Sequence, residues 1–500
     1  MPISIIVKNQ EQKTTRLVLD KAQLVIEQLS NENHATEADR TETIDFECIY
    51  GVCQHGDSGI DIHTAIIQNL TTEKTDSVNG TQTLTNIRPK DVKWILKTLR
   101  YQIDTEHVAA AAAEPSFLSE FVTQLKNQAV PHHLALPETE VIVVLNPTSG
   151  ARLAEMQWIS IVKPMLISAG FAESNLSKIT TERDGKTRTL ADALGQRILS
   201  MSQAHTSKPA PIIVSMGGDG TLHEVVNGLS DAAAAYKEAK QGQFRLAVVP
   251  AGSGNAFALG IGIESVEQAT LKIIKGLEEK PFYFMDVKFG HSLHNGDNWQ
   301  DHIEYDATKK PVRLLVVMSW GFHAQIVSKS RYLRYFMGNK RFSLVAMFLL
   351  KFLQQYEGEL VLKDAKKYDQ GKQQFELQQT TTLTSDKKFT YFIVSKQHSL
   401  EKGFKIAPFA SPLSSDMDVV VLRDADADTL TKASIAAFQG GEHVKSEDVE
   451  YFKTSELFLR VKDKAELCLD GEIHDLPSKG IIHLQTEKSS TKKFSFTIFI

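Results

Sequence analysis

Short runs in which apolar and polar residues alternate open the chain. Ile3–Val7 and Thr15–Leu19 have this period of two and predict strands. Asn31–Thr43 and Thr71–Thr83 are polar and predict loops. Val92, Ile95, Leu96 and Leu99 recur at helical spacing, so Pro89–Tyr101 predicts a helix. An alanine tract, Ala109–Ala113, leads into a second helix that ends before Pro131. Residues 1–138 therefore form an N-terminal β-rich accessory region and connector.

From residue 141 the pattern changes. Val141–Leu145, Ile212–Val214 and Leu246–Val249 are compact runs rich in β-branched residues. Each ends in a Gly/Ser/Asn loop and then meets helical periodicity. Strands alternating with helices predict a parallel, doubly wound sheet. Such sheets bind ligands at the carboxyl ends of their strands, where all three loops fall. This unit is expected over residues 139–280.

The pattern shifts again after residue 281. Val312–Met318, Thr390–Val394, Val419–Leu422, Leu457–Val461, Ile481–Leu484 and Phe494–Ile500 read as strands without regular helices between them. They predict an antiparallel β-domain over 281–500. His291–Lys310 and Asp364–Lys388 are charge-rich and read as mobile surface insertions.

The loops carry the candidate chemistry. In Asn146-Pro147-Thr148-Ser149-Gly150, Pro147 stops the strand and Ser149-Gly150 lets backbone approach a ligand. Taken alone, these are also ordinary turn signals. Gly217-Gly218-Asp219-Gly220-Thr221 is more specific, because three glycines after a buried strand aim backbone N–H groups from a helix start. That geometry suits phosphate oxygens. An acid there opposes anion binding unless it serves a purpose. Asp219 could hold Mg²⁺, take a proton from an attacking hydroxyl, or cap a helix. Glu224 in the first turn could support metal or nucleotide, and His223 reads as a packing residue or a partner of the site. One βα unit later, Pro250-Ala251-Gly252-Ser253-Gly254-Asn255 repeats the arrangement. No GxxxxGK[ST] segment and no protein-kinase signature set is present.

Composition changes this picture little. A length of 500 residues predicts two or three domains, and a net charge of −5 disfavours nucleic acid as a partner. Cys48, Cys53 and Cys468 form a sparse, odd set, which points to a reduced, cytoplasmic setting and argues against zinc. The N-terminus lacks a signal-peptide pattern. No run reaches the ~20 apolar residues of a spanning helix.

The motifs resemble those of the diacylglycerol kinase catalytic family, most closely its sphingosine kinase branch. The matching stretches are NPTSG at 146–150, TTERDGKTRTLA at 180–191, GGDGTLHEVVNGL at 217–229, PAGSGNAFA at 250–258, MSWGF at 318–322 and LCLDGE at 467–472. Their order over roughly 140–475 is specific, since other GGDG kinases lack NPxSG upstream with GSGN downstream. The resemblance implies a Rossmann-like nucleotide lobe of the NAD-kinase/diacylglycerol-kinase type and a β-sandwich lipid lobe, with ATP and Mg²⁺ between them. It places Asn146, Thr148, Gly252, Ser253 and Gly254 near the phosphates, and Pro147, Gly150, Gly217, Gly218, Gly220, Thr221, Glu224 and Asn255 are the further candidate nucleotide-binding residues of these loops. Thr181 and Glu182 would border the nucleotide. Asp219 would be the catalytic base. Asp470, Gly471 and Glu472 would return from the β-domain, with Asp470 and Glu472 on the metal. Arg334 and Arg341 align with phosphate-contacting basic residues across a one-residue gap.

One departure bears on the acceptor. Sphingosine kinases carry acids after WGF, one of which pairs with the lipid ammonium. Here Gln325 and Val327 stand in those places, and residues 307–356 contain nine Lys or Arg and no acid. A buried ammonium needs a partner. The sequence thus leaves room for a neutral diacylglycerol- or ceramide-like alcohol, unless Asp416 or Asp418 substitutes. Tyr332–Tyr356 is apolar with interspersed Lys340, Arg341 and Lys351, and reads either as a buried core helix or as a lipid gate touching an anionic membrane. The expectation is a peripheral, cytoplasmic lipid kinase of unknown oligomeric state. The alternatives are a soluble-metabolite kinase of the NAD kinase type and a catalytically silent lipid-binding homologue.

Overall fold

The computed structural model describes residues 3–29, 38–68, 93–103, 115–130, 136–182, 185–203, 209–236, 242–294, 296, 298–333, 340–489 and 494–500. The predicted loop Thr71–Thr83, the alanine tract and Arg334 lie outside these residues.

Seven antiparallel strands build the N-terminal sheet. They are β1 Ser4–Asn9, β2 Thr14–Asp20, β3 Gln23–Leu29, β4 Ala38–Asp45, β5 Ile49–His55, β6 Gly59–Gln68 and β7 Lys93–Ile103, in the order β4-β3-β2-β1-β7-β6-β5. β7 corrects the helix expected over Pro89–Tyr101. Trp94, Ile95, Leu96 and Leu99 satisfy either period, and pairing with β6 from Gln68↔Lys93 to Gly59↔Gln102 decides for the strand. β4 likewise occupies part of the loop expected over Asn31–Thr43. Helix α1, Pro115–Ala129, follows and buries Leu118, Phe121 and Leu125.

The accessory region is locked to the next unit by Lys275. This residue is 6% exposed, and its ammonium donates to Phe46 O and Ile49 O, both at 2.6 Å, and to Ala129 O. Burial pulls its pKa down to about 8, so it remains an ammonium at neutral pH. Three carbonyl acceptors match its three N–H donors.

The central sheet is parallel at its core. β8 Val141–Leu145, β9 Leu176–Thr180, β10 Ile212–Gly217 and β11 Gly242–Pro250 run alongside one another. β8 and β10 are buried throughout, which explains their unbroken apolar sequences. The interleaved helices are α2 Ala154–Gln157 and α3 Lys163–Ala169, joined by the wider turn Trp158–Val162, then α4 Lys186–Gln203, α5 Asp219–Ala235, α6 Ala256–Gly260 and α7 Val266–Lys275. Ser265 caps α7, its hydroxyl accepting from Gln268 N at 3.1 Å.

Two antiparallel sheets make the following domain. In chain order the remaining strands are β12 Glu279–Lys280, β13 Tyr283–Ser292, β14 Ile303–Tyr305, β15 Val312–Leu314, β16 Val317–Gly321, β17 Gly358–Lys363, β18 Lys366–Asp369, β19 Gln374–Leu377, β20 Thr380–Leu383, β21 Phe389–Ser395, β22 Met417–Arg423, β23 Glu450–Thr454, β24 Glu456–Val461, β25 Ala465–Leu469, β26 Glu472–Leu476, β27 Ile481–Lys488 and β28 Phe494–Phe499, and all of them except β12 and β28 lie in these two sheets. One sheet runs β14-β13-β27-β24-β17-β20 with β15 beside β13, and the other β19-β18-β23-β22-β21-β16-β25-β26. Met318, Trp320, Phe392, Leu360 and Leu459 belong to the apolar core of this sandwich. The helices α8 Phe322–Ser330, α9 Lys340–Leu350 and α10 Ala427–Phe438 also belong to this part of the chain; α9 lies within the apolar segment Tyr332–Tyr356, while α8 and α10 were not expected. Asp426 caps α10 through Thr429 N at 2.8 Å.

Three further expectations change. The single strand predicted over Val312–Met318 is two, one in each sheet, and the chain crosses between them at Leu315–Val316. The insertions at 291–310 and 364–388 are not free loops. They contain β14, which pairs with β13, the β18–β19 hairpin, and β20, which pairs with β17; these strands are short and polar. Finally, β28 joins the central sheet, parallel to β11 through Gly242↔Phe494 to Leu246↔Ile498, and β12 pairs with its other edge. Phe244 and Phe496 pack there with ring centroids 4.7 Å apart.

Candidate active site

The three glycine loops stand at the carboxyl ends of β8, β10 and β11 and bind one another before any ligand is considered. Asn146 Nδ2 donates to Thr221 Oγ1 at 3.2 Å, and Asn146 Oδ1 accepts from Thr148 N and Oγ1 at 3.0 and 2.9 Å. Ala251 N donates to Gly217 O at 2.9 Å and Asp219 N to Gly254 O at 3.0 Å. Asn255 closes its own loop, donating to Gly252 O at 2.8 Å and accepting from Gly252 N at 3.1 Å. Gly252 lies so close to the second loop that a Cβ there would stand 2.3 Å from Gly218 Cα. This glycine therefore serves the packing of one loop on the other. Open space lies at Gly220, where a Cβ would meet nothing within 4 Å. Pro147 and Gly150 lie in the first of these loops and Ser253 in the third.

Asp219 sits at the first position of α5 with both carboxylate oxygens engaged. Oδ2 accepts from Ala256 N at 2.8 Å and Oδ1 from Phe257 N at 3.0 Å. It therefore caps α6 across the site, whereas capping of its own helix was the sequence alternative. Burial pushes its pKa up to about 6, against the two amide hydrogen bonds, and the charge of Asp470 pushes the same way. Each oxygen keeps a lone pair beyond the one given to an amide.

Asp470 occupies a left-handed turn with Gly471, at φ 47° and 91°. Its Oδ1 accepts from Val316 N at 2.9 Å and Val317 N at 2.8 Å, and its Oδ2 from Leu315 N at 2.8 Å and His223 Nδ1 at 2.9 Å. The side chain is 1% exposed. Four donors fill its acceptor sites, leaving none for a metal. This differs from the metal-ligand role expected for it: Asp470 organises the crossover between the two sheets. Among the described residues no group of three or more His, Cys, Asp or Glu side chains could hold a metal ion. Glu472 points outward, 66% exposed, with Arg331 at 3.5 Å.

A polar stripe on α5 forms the seam between the lobes. Asp219, His223 and Asn227 follow at i, i+4 and i+8 and share one helix face. Asn227 is fully buried; it donates to Arg313 O at 2.9 Å and accepts from Arg313 N at 2.9 Å. Sequence reasoning passed over Asn227 and undervalued His223, although their spacing from Asp219 was the available signal. Glu224 faces the other way, half-buried near Thr187. Burial raises its pKa, and among the described residues its Oε2 is buried without a hydrogen-bond partner. Thr181 N donates to Leu145 O at 2.9 Å, and Glu182 is tied to Thr187 through hydrogen bonds of 3.0 and 2.8 Å. Arg341 lies with its guanidinium 4.5 Å from the Phe342 ring.

Residues 140–285 match the family model of the diacylglycerol kinase catalytic domain, and 316–482 that of the YegS C-terminal NAD kinase beta sandwich-like domain. The chain is 28% identical over 337 residues to YtlR of Bacillus subtilis (strain 168), covering 66% of this chain and 92% of that protein. It is 24% identical over 340 residues to the diacylglycerol kinase of the same organism, covering 66% and 88%. Sphingosine kinase 1 of Homo sapiens is 31% identical over 235 residues, and here the match spans 44% of this chain and only 50% of the relative.

Proposed function

We propose, on the premise that this chain carries a diacylglycerol kinase catalytic domain, that it is a lipid kinase transferring the γ-phosphoryl group of ATP to a lipid hydroxyl. The observation that carries the reading is Asp219, held by two amides among three laced glycine loops with space open beside it at Gly220. The working division is 1–138 accessory, 139–280 nucleotide lobe and 281–500 lipid lobe, with β28 returning to the nucleotide sheet.

In this reading Asn146, Thr148, Gly220, Thr221, Ser253 and Gly254 border the phosphates. Asp219 accepts the proton of the lipid hydroxyl as its oxygen attacks the γ-phosphorus; the bond to the β-phosphate oxygen breaks, and ADP leaves. A pKa of about 6 keeps Asp219 ionised at neutral pH while leaving it a competent base. Backbone amides positioned in advance supply charge stabilisation at low reorganisation cost. The saturated Asp470 does not fit a resident Mg²⁺ site. Mg²⁺ is better assigned to the nucleotide, entering as MgATP, with Glu472 the carboxylate available to it.

The acceptor we infer is a neutral lipid alcohol. Gln325 donates to Gln354 at 2.7 Å, a neutral pair where an acid would meet an ammonium. Neither substitute acid is free: Asp416 pairs with Lys366 at 2.8 Å, and the buried Asp418 with Lys453 at 2.9 Å and Tyr451 OH at 2.6 Å. Peripheral membrane attachment fits α9 and the residues after it, where Leu344, Met347, Phe348 and Phe352 are 44–64% exposed. No helix among the described residues is long and apolar enough to cross a membrane.

The test is an ATP-dependent assay of the full chain on micelles of sphingosine, ceramide, monoacylglycerol and diacylglycerol, with NAD as a soluble competitor and products read by mass. Phosphorylation of NAD alone overturns the lipid assignment. Strict preference for sphingosine overturns the neutral-acceptor inference.

A further inference from the structure

The lipid lobe contains a buried polar point that the phosphoryl-transfer reading does not use. Tyr391 lies on β21 opposite Gly321, the residue at which β16 turns into α8. Tyr391 is 8% exposed, and among the described residues its hydroxyl is buried without a hydrogen-bond partner. His323, in the first turn of α8, stands edge-on to it with ring centroids 6.0 Å apart, and its Nδ1 meets Ser319 Oγ at 2.7 Å. Helix α8 packs against β16 and β21, and α9 packs against α8.

The electrostatics of the point are neutral. Burial alone raises the Tyr391 phenol, and burial alone lowers the His323 imidazole to about 4. Among the described residues no charged neighbour contributes to either. A buried phenol normally finds a partner. Trp320 Nε1 is also buried without one, but its ring lies on the opposite face of β16, against Phe389 and Tyr356 in the sandwich core. Tyr391, by contrast, lies on the side roofed by α8. An O–H donor that no described residue satisfies, in an uncharged setting, matches an acceptor that brings no charge, such as an acyl carbonyl.

We propose that Tyr391 is a specificity residue for the lipid acceptor, donating its hydroxyl hydrogen bond to the carbonyl oxygen of an acyl ester or amide. The substrate class is therefore an acylated neutral lipid rather than a free long-chain amine. β16 joins this point to the phosphoryl site, since Val317 N at its start binds Asp470. The proposal rests on the lipid-kinase reading, but its test does not depend on turnover.

Dioctanoylglycerol and its ether counterpart dioctylglycerol differ at the carbonyls and share the free hydroxyl. The full-length protein should favour the ester about five- to tenfold, the worth of one buried hydrogen bond. In Tyr391→Phe, kcat/KM for the ester should fall to that for the ether, while the ether value stays unchanged. Thermal unfolding of the variant should match the parent or exceed it, because no partner among the described residues is lost. Equal losses on both lipids, or no loss on either, overturn the proposal. The same comparison is made without ATP, by displacement of a fluorescent diacylglycerol. If the parent phosphorylates no lipid, the kinase reading fails and this binding ratio alone decides: a preserved ester preference in Tyr391→Phe refutes the role of Tyr391.

Discussion

Asp470 Oδ2 accepts a hydrogen bond from His223 Nδ1 at 2.9 Å, joining residues 247 positions apart across the seam of the two lobes. The same carboxylate holds the backbone of Leu315, Val316 and Val317. An amide in its place would turn a donor toward donors. Asp470→Asn should cost about 3–5 kcal/mol of stability in urea unfolding. The loss should be equal in excess EDTA. A loss that appears only when magnesium is present would return Asp470 to the metal.

His223→Ala removes one of the four donors and leaves the three amides in place. It should destabilise by about 1–2 kcal/mol, well short of Asp470→Asn. Urea unfolding of both single variants and the double variant gives the coupling directly, and strict additivity would mean that the pair is not coupled.

Asp219 sets an acidic limb for turnover. Its folded pKa of about 6 lies above the usual carboxylate value, and the base must be unprotonated. Below pH 6 kcat/KM should fall about tenfold per unit, and above it level off. Asp219→Asn should abolish turnover while leaving ATP affinity within a few-fold of the parent, as measured by calorimetry. It should also loosen the start of α6, since an asparagine can accept from only one of Ala256 N and Phe257 N. Near-normal lipid phosphate from this variant would remove Asp219 as the base.

Lys275→Met should leave Phe46 O, Ile49 O and Ala129 O without their shared donor. A cost of about 3–5 kcal/mol is expected, read by denaturant unfolding. Limited proteolysis should then cut between the accessory region and the nucleotide lobe, where the parent resists. Unchanged unfolding would mean that the two units are held by their apolar contacts alone.

Phe348 and Phe352 are 63% and 64% exposed, with ring centroids 5.4 Å apart. Replacing both with Asp should lower partitioning onto phosphatidylserine-containing vesicles at least tenfold, given about 1.5–3 kcal/mol for each buried aromatic side chain. ATP affinity should not change. Vesicle binding equal to the parent would locate the membrane contact elsewhere.

Much of the central sheet was legible because β8, β10 and β11 are buried on both faces and so carry unbroken apolar runs. Their loops were legible because glycine is needed wherever backbone meets backbone. What was hidden is non-local. The apolar run from Val312 to Met318 reads as one strand; the break at Leu315–Val316 is imposed by a carboxylate more than 150 residues later. Trp94–Leu99 fits two periods, and only β6 chooses between them. β18–β20 are too short and polar to stand out from a loop. At the site, the sequence marked Asp219 and Asp470 but not what binds them, since Ala256, Phe257 and Val316 act through main-chain N–H groups that any residue type supplies. Tyr391 carried no signal, because an aromatic residue inside a strand is ordinary core.

The position of β28 bears on how the molecule is made. On the ribosome, β8 to β11 emerge early, yet the edge of β11 stays open until both sheets of the lipid lobe have been synthesised and Phe494–Phe499 arrives. Through that interval Phe244 lacks the ring it finally packs against, and an unpaired strand edge invites mispairing with other nascent chains. The central sheet is therefore complete only after the β-sandwich has been synthesised. Kinase competence should be acquired late and as a whole, with a high contact order and correspondingly slow folding.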